Sequence, residues 1–280
     1  MSLHNVSLGL AHFSAINEPP DAFARLAAKA GFARIGLRLF APFEGAPHYP
    51  LSSGRSEVRR LKAQCIDDGI EVYDIEALVI DHSFSLEDVK STIEASAELG
   101  AKRISIAGDD QDFGRLVGNI QSLCALAADF ELSVDLENMG WRSVATFANA
   151  TQVIRACATE NAGVLVDAIH FYRNGGETSE LAGFEHLVRS VQLCDVKGPA
   201  PVTHVEMLHE ARAGRFAPSE GELPLLDFVT TLGCEKTYSI EVPLSDNSIC
   251  SKDHINHLMR STLTLFAQLE NAPKSKASQQ

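Results

Sequence analysis

"LSVDLENMGWRSVATFANATQVIRACATENAGVLVDAIH", residues 132–170, holds the unit from which the chain is built. Its two ends, "LSVDLEN" (132–138) and "AGVLVDAIH" (162–170), are short apolar runs of strand length. The middle, "SVATFANATQVIRACA" (143–158), has the look of an amphipathic helix. A strand, one helix and another strand imply parallel pairing through a right-handed crossover. The same alternation runs outward in both directions. Further strands are expected at "VSLGL" (6–10), "RIGLRL" (34–39), "EVYDIEAL" (71–78), "RISIAG" (103–108), "SVQLC" (190–194) and "YSIEVP" (238–243), making eight in all. Helical patterns lie in "PPDAFARLAAKAGF", which stops at Gly31, in "SLEDVKSTIEASAELGA", capped by Ser85, in "DFGRLVGNIQSLCALAADF" and in "KDHINHLMRSTLTLFAQLE".

Eight such units close naturally into an α/β fold of the (β/α)8 TIM-barrel kind, and 280 residues suit one barrel better than two domains. An open doubly wound sheet usually shows a glycine-rich phosphate loop after its first strand. "SLGLAHFSAIN" has none, and the chain contains no P-loop, H-E-x-x-H or G-x-S-x-G motif. Residues 1–271 are expected to form the barrel, and 272–280, in the polar end "NAPKSKASQQ", a disordered tail. The longest non-periodic piece, 195–224, carries Arg212 and Arg215, and a connection of that length is usually functional.

With 24 Lys and Arg against 37 Asp and Glu, the formal net charge is −13. That field argues against nucleic acid and anionic membranes as partners, and no window approaches the roughly 18 apolar residues of a membrane span. The six cysteines form no C-x-x-C pair and read as small buried hydrophobes in a reducing compartment. The start lacks a signal-peptide pattern, so a cytoplasmic protein is expected.

In a barrel the chemistry sits at the C-terminal ends of the strands. Strand 5 ends on Glu137, strand 6 reaches Asp167 with His170 three residues on, strand 7 holds Gln192, and strand 8 ends on Glu241. One strand-end carboxylate is commonly a cap or an ion-pair partner. Oxygen donors on four successive strands, three of them carboxylates that are each unfavourable alone in a dry interior, point to a shared divalent cation that offsets their charge. Carboxylates with an amide oxygen suit Mn²⁺ first, then Mg²⁺, with Zn²⁺ as a further possibility. His170 reads first as a general base or substrate contact. Arg38, ending strand 2, is either a fork for an anionic or hydroxyl-rich substrate or an ion-pair partner of Glu76. Arg103, at a strand start, takes a structural role at the bottom face. His12 and Trp141 are candidates to line the mouth, and Asp195 takes a strand-end role.

These residues carry a resemblance. "DLEN", "VDAIH", "VQLCDV", "EARAGRFAPSEGELPL" and "SIEVP" together resemble the xylose-isomerase-like TIM-barrel superfamily, the sugar phosphate isomerase/epimerase group, from strand 1 to the last helix. The resemblance implies a metal held by Glu137, Asp167, Gln192 and Glu241. Gln192 stands where histidine is usual, as in bacterial 3-dehydroshikimate dehydratases. Ser219 stands where related sequences read glycine, which puts the path of that loop in question. The histidine-rich endonuclease IV branch does not fit.

The implied chemistry is metal-assisted formation of an enediolate. Glu137 and Glu241 would exchange protons with its two faces, and His170 is a further base or acid. The first reading is an isomerase or epimerase acting on a keto-sugar or polyol. The second is a dehydratase of the 3-dehydroshikimate or keto-inositol type acting on a cyclic keto acid, favoured by Gln192 and by arginines able to hold a carboxylate. Arg38, Arg212, Arg215, His12 and Trp141 are the expected substrate contacts. A non-catalytic sugar-binding barrel is the third reading, and a homo-oligomer is the expected assembly.

Overall fold

The computed structural model describes residues 6–233, 235–246 and 248–271. Eight strands follow in chain order and close on themselves: β1 (Leu8–Leu10), β2 (Arg34–Arg38), β3 (Glu71–Asp81), β4 (Arg103–Asp109), β5 (Ser133–Glu137), β6 (Ala162–Asp167), β7 (Val188–Leu193) and β8 (Thr237–Ile240). Every pairing is parallel, and β1 bonds β8 to complete the ring. The chain is a single-domain (β/α)8 barrel. The helices are α1 (Pro20–Ala30), α2 (Ser56–Asp68), α3 (Leu86–Leu99), α4 (Phe113–Ala128), α5 (Phe147–Cys157), α6 (Ala168–Arg173), α7 (Thr178–Leu181), α8 (His204–Ala213), α9 (Leu225–Leu232) and α10 (Ser251–Asn271), with a 3-10 turn at His12–Ala15. Among the described residues, no helix is long and apolar enough to cross a membrane.

Some elements depart from the sequence reading. The strand expected to run to His170 stops at Asp167, because Asp167 Oδ1 accepts from the Ile169 N–H at 3.0 Å and caps α6. His170 therefore rides on a helix. The segment 195–224 is not without structure, since it contains α8, whose one buried residue is Ala211. With so little apolar surface, α8 leaves no stripe to read. Helix α2 went unread for a similar reason: Val58, Leu61 and Cys65 are buried, and charges dominate the rest. Ser85 stands at the start of α3 but makes no side-chain cap bond. Gly31 does end α1, at φ 98°, where a side chain would be strained. Cys65, Cys124, Cys157 and Cys194 are buried, as expected, but Cys250 is exposed just before α10. Cys234 and the tail 272–280 lie outside the described residues.

Barrel alternation sends one set of strand residues to the helices and the other to the lumen. The outer set is apolar and forms the core with helix residues such as Phe23, Ile93, Ile120 and Phe228. The lumen is unusually polar for this architecture, where branched apolar residues normally fill it. Low in the lumen, Arg103 grips both oxygens of Asp135, at 2.7 and 2.9 Å, and the Tyr73 hydroxyl at 2.9 Å. Ser190 donates to the same Asp135. This is the structural, bottom-face role expected of Arg103. Room for two more lumen carboxyls, Glu76 and Asp74, comes from Gly36. A Cβ there would collide with Glu76 Oε1 and sit 2.7 Å from Asp74 Oδ1.

Gly36→Ala is therefore expected to cost about 1–3 kcal/mol by overpacking. Urea denaturation of the variant against wild type measures it; an unchanged midpoint would show that the lumen relaxes freely.

Candidate metal centre

The four expected ligands meet at one rim because parallel register puts them there. Asp167 on β6 pairs directly with Gln192 on β7. Glu137 pairs with Leu165, two residues below Asp167. Glu241 follows β8, and its N–H donates to Leu193 O at 3.1 Å. Gln192 Nε2 donates to Glu241 Oε1 at 3.3 Å, which fixes the amide and leaves Gln192 Oε1 buried with no hydrogen-bond partner. Glu137 Oε1 is also buried without a partner. His170 Nε2 lies 3.8 Å from that oxygen and 4.0 Å from Asp167 Oδ2. Ligand atoms of Glu137, Asp167 and His170 all fall within 4.8 Å of one another.

Glu137, His170, Gln192 and Glu241 line one cavity, about 580 Å³ counted to its open mouth. Asp167 sits behind them, fully buried. Burial, with the charges of Asp167 and Glu241, pushes the Glu137 carboxyl well above the usual range. Burial and then Arg215 pull His170 down to about 3, so its ring is neutral. Buried oxygens without hydrogens, set among carboxylates, want a cation. Glu137, Asp167 and His170 are placed to share a divalent ion, while the Glu241 oxygens are held by Arg215 and Gln192 beside them.

Arg215 already supplies one positive charge. Its Nη1 is 2.6 Å from Asp167 Oδ2 and its Nη2 is 3.0 Å from Glu241 Oε2. Nη1 also donates to Glu241 O at 3.1 Å, and Nε to Ala211 O at 2.8 Å. Nearly all its donors are committed to the protein. It borders the cavity as a counter-ion, not as the free substrate arm expected from the sequence. Arg215 is held there by Asp195. The backbones of Asp195 and Phe216 exchange two hydrogen bonds of 2.8 Å, and Asp195 Oδ1 accepts from Val196 and Leu223 N–H groups at 2.9 and 3.0 Å. Beyond it, Ser219 adopts φ 72°. That is a conformation suited to glycine, and a serine adopts it under strain.

The other expected contacts divide. Arg38 makes the ion pair with Glu76 expected of it, at 3.4 Å, and also borders the cavity. It lies 4.1 Å over the Phe13 ring and pairs with Glu241 at 3.8 Å. Trp141 lines the cavity edge-on to His170, ring centres 5.0 Å apart. Arg212 lines it with its guanidinium 4.1 Å from the Phe43 ring. His12 does not reach the cavity. It is wholly buried, stacked on Phe23 at 4.5 Å, with Nε2 on Glu18 O at 3.0 Å and Nδ1 accepting from the Arg38 N–H at 3.2 Å. Its own N–H donates to Glu76 Oε1 at 2.8 Å. His12 braces Arg38 and Glu76 from behind.

Phe13, Phe43, Glu76 and Arg142 line the cavity too, and sequence reasoning did not assign them to it. Arg142 sits beside Trp141 in the loop after β5, the one signal that would have found it. Asn138, next to Glu137, donates to His170 O at 3.1 Å and Ala145 O at 3.2 Å and ties that loop to α6.

A family model described as a xylose isomerase-like TIM barrel matches residues 24–260. The chain belongs to this family. No curated protein matches it. Among solved structures, it is similar to a xylose isomerase-like TIM barrel/4-hydroxyphenylpyruvate dioxygenase fusion protein, at 19% identity and TM-score 0.77, over 98% of this chain and 45% of that one. The chain thus spans less than half of that fusion. It is also similar to an IolI protein with a binding zinc atom, at 17% identity and TM-score 0.76, over 94% of this chain and 99% of that one. A third is the probable 3-DHS dehydratase AsbF from Bacillus anthracis, at 16% identity and TM-score 0.73, over 92% and 98% of the two chains. At these identities the likeness is one of fold.

Two outcomes follow for the shell around the centre. Burial holds His12 at about 4, below its ordinary 6.5, so the unfolded chain takes up the proton first as pH falls. Its contribution is complete above pH 6.5 and is lost toward pH 4, about 3 kcal/mol in all. Melting curves between pH 4 and 7 should show a shallower acid slope for His12→Gln than for wild type. Equal slopes would place the proton elsewhere. Ser219→Gly should raise stability by about 0.5–1 kcal/mol, as relief of the left-handed strain outweighs the added chain freedom. Urea midpoints decide that.

Proposed function

We propose that the chain is a divalent-metal-dependent enzyme that removes the proton beside a carbonyl of a polyhydroxylated substrate and returns it elsewhere, as an isomerase or epimerase. The observation that carries this is the pair of unpartnered buried oxygens, Glu137 Oε1 and Gln192 Oε1, in the wall of one cavity with Glu241 and His170. Glu137, Asp167, Gln192 and Glu241 are the residues that would hold the ion, with Mn²⁺ the first choice for so hard a donor set. When bound, such an ion supplies Lewis acidity that makes a C–H beside a carbonyl easier to ionise.

The chain's own groups do the rest. Glu137 and Glu241 reach the cavity from β5 and from beyond β8, with β6 and β7 between them. A carbon placed between the two carboxylates can lose a proton to one and regain it from the other. Return to the opposite face inverts the centre; return to the neighbouring carbon isomerises it. Neutral His170 offers one N–H and one lone pair to a substrate oxygen. Arg215 holds Asp167 and the second oxygen of Glu241 in place. Phe13, Met139 and Trp141 wall the cavity and limit water.

A dehydratase is the second reading, favoured by the position of His170 only 3.8 Å from Glu137. A proton removed at one carbon and a hydroxyl lost from the next would then use adjacent groups. Similarity to the probable 3-DHS dehydratase supports this reading.

Metal analysis of purified protein, with and without EDTA, is the first test. Gln192→Leu and Glu241→Gln are each expected to weaken Mn²⁺ binding at least about tenfold. No bound divalent metal would sink the proposal, and so would Mn²⁺ affinity unchanged in both variants. Incubation with ketoses and cyclic keto acids in D₂O separates the readings. Deuterium beside the carbonyl without water loss marks the isomerase or epimerase; a conjugated, ultraviolet-absorbing product marks the dehydratase.

A further inference from the structure

Beside the metal centre, the cavity wall carries three more arginines: Arg38 from the end of β2, Arg142 from the loop after β5 and Arg212 from α8. In a chain of net charge −13 this concentration runs against the background. The three are neighbours. Arg142 Nη2 donates to Pro42 O at 2.8 Å, and the next residue, Phe43, carries the Arg212 guanidinium on its ring at 4.1 Å. Burial, then Arg142 and Arg38, lower the pKa of Arg212, so the positive charges feel one another.

Two features show unmet demand. The Nε atoms of Arg38 and Arg142 are buried without hydrogen-bond partners. Arg212 makes no ion pair among the described residues. Unsatisfied buried donors and adjacent like charges are both unfavourable, and a bound anion relieves both. The ion pairs set its size. Arg38 pairs with Glu76 at 3.4 Å and reaches Glu241 at 3.8 Å, and Arg142 pairs with Asp109 at 2.7 Å, which leaves Arg212 as the one charge of the three without a carboxylate among the described residues. One charge matches a carboxylate better than a doubly charged phosphate. Phe13, Pro42, Met139 and Trp141 give the same cavity apolar walls suited to a carbon skeleton.

We propose that Arg38, Arg142 and Arg212 form an anion subsite for a substrate carboxylate, so that the enzyme acts on a polyhydroxylated keto acid rather than a neutral sugar. This rests on the metal-dependent reading above. The metal centre takes the carbonyl and hydroxyl end; the arginines take the acid.

Calorimetric titration of Mn²⁺-loaded protein tests it, with gluconate, the uncharged glucitol and glucose 6-phosphate as probes. Gluconate is expected to bind about 10- to 100-fold more tightly than glucitol. Arg212→Leu, at an exposed position, and Arg142→Gln should each lose about tenfold or more of gluconate affinity while Mn²⁺ and glucitol affinities hold. Equal binding of gluconate and glucitol would overturn the subsite. So would gluconate binding unchanged in both variants, which would place the acid on the metal. Tighter binding of glucose 6-phosphate would overturn the carboxylate assignment. Failure to bind Mn²⁺ at all would fell the metal-dependent reading and this one with it. Mn²⁺ binding without gluconate preference fells this one alone.

Discussion

Four carboxylates, Glu76, Glu137, Asp167 and Glu241, are buried at one end of the barrel, and two arginines, Arg38 and Arg215, are buried among them. Charges this close and this dry interact strongly, and removing either sign alone leaves the other uncompensated. Much of the upper barrel answers to that balance. Arg215 draws in the connection after β7, because its Nε must reach Ala211 O while its Nη atoms hold Asp167 and Glu241. Arg38 draws in the start of the chain, because Phe13 lies under its guanidinium and His12 bonds its N–H. Two segments far apart in sequence are thus fixed to the rim by the same electrostatic demand. Two arginines against four carboxyl groups leave acid in excess at the rim, and burial with that crowding raises the Glu137 and Glu76 carboxyls.

The polar lumen has the same origin. A dry apolar plug beneath the rim would raise the cost of every charge above it. Arg103, Asp135, Ser190 and Tyr73 instead form a bonded layer below, so that the rim rests on polarisable groups. Stability then comes chiefly from the outer interface between strands and helices, where the large apolar side chains lie. Chemistry and cohesion occupy opposite faces of the same strands.

Strand residues were legible because their burial is periodic and their ends are punctuated. Glu137, Asp167, Gln192 and Glu241 stood out as oxygen donors in apolar runs, a conflict between local environment and side chain that a site resolves. What stayed hidden depended on partners distant in sequence. His12 looked like a mouth residue because it follows β1, yet its ring turns under Arg38 and Tyr49 to Glu18 O. Arg215 looked like a substrate arm, and only the folded loop shows its donors already taken. Helices α2 and α8 bury too little apolar surface to leave a period. Arg142 and Phe43 sit in loops, where no repeat marks which residue faces inward.

The paired bonds between Asp195 and Phe216 close a ring of chain: the segment leaves β7 and returns to the point of departure before Arg215 is done. A closed excursion pays its looping entropy locally, and that entropy grows only slowly with length. Arg212 rides on this excursion, whereas Gln192 on β7 and Glu241 just after β8 lie outside it. The outer part of the loop therefore behaves as a cassette. Descent from a common barrel can trade one cassette for another, altering what the loop presents while the strand-end carboxylates of the rim stay in register.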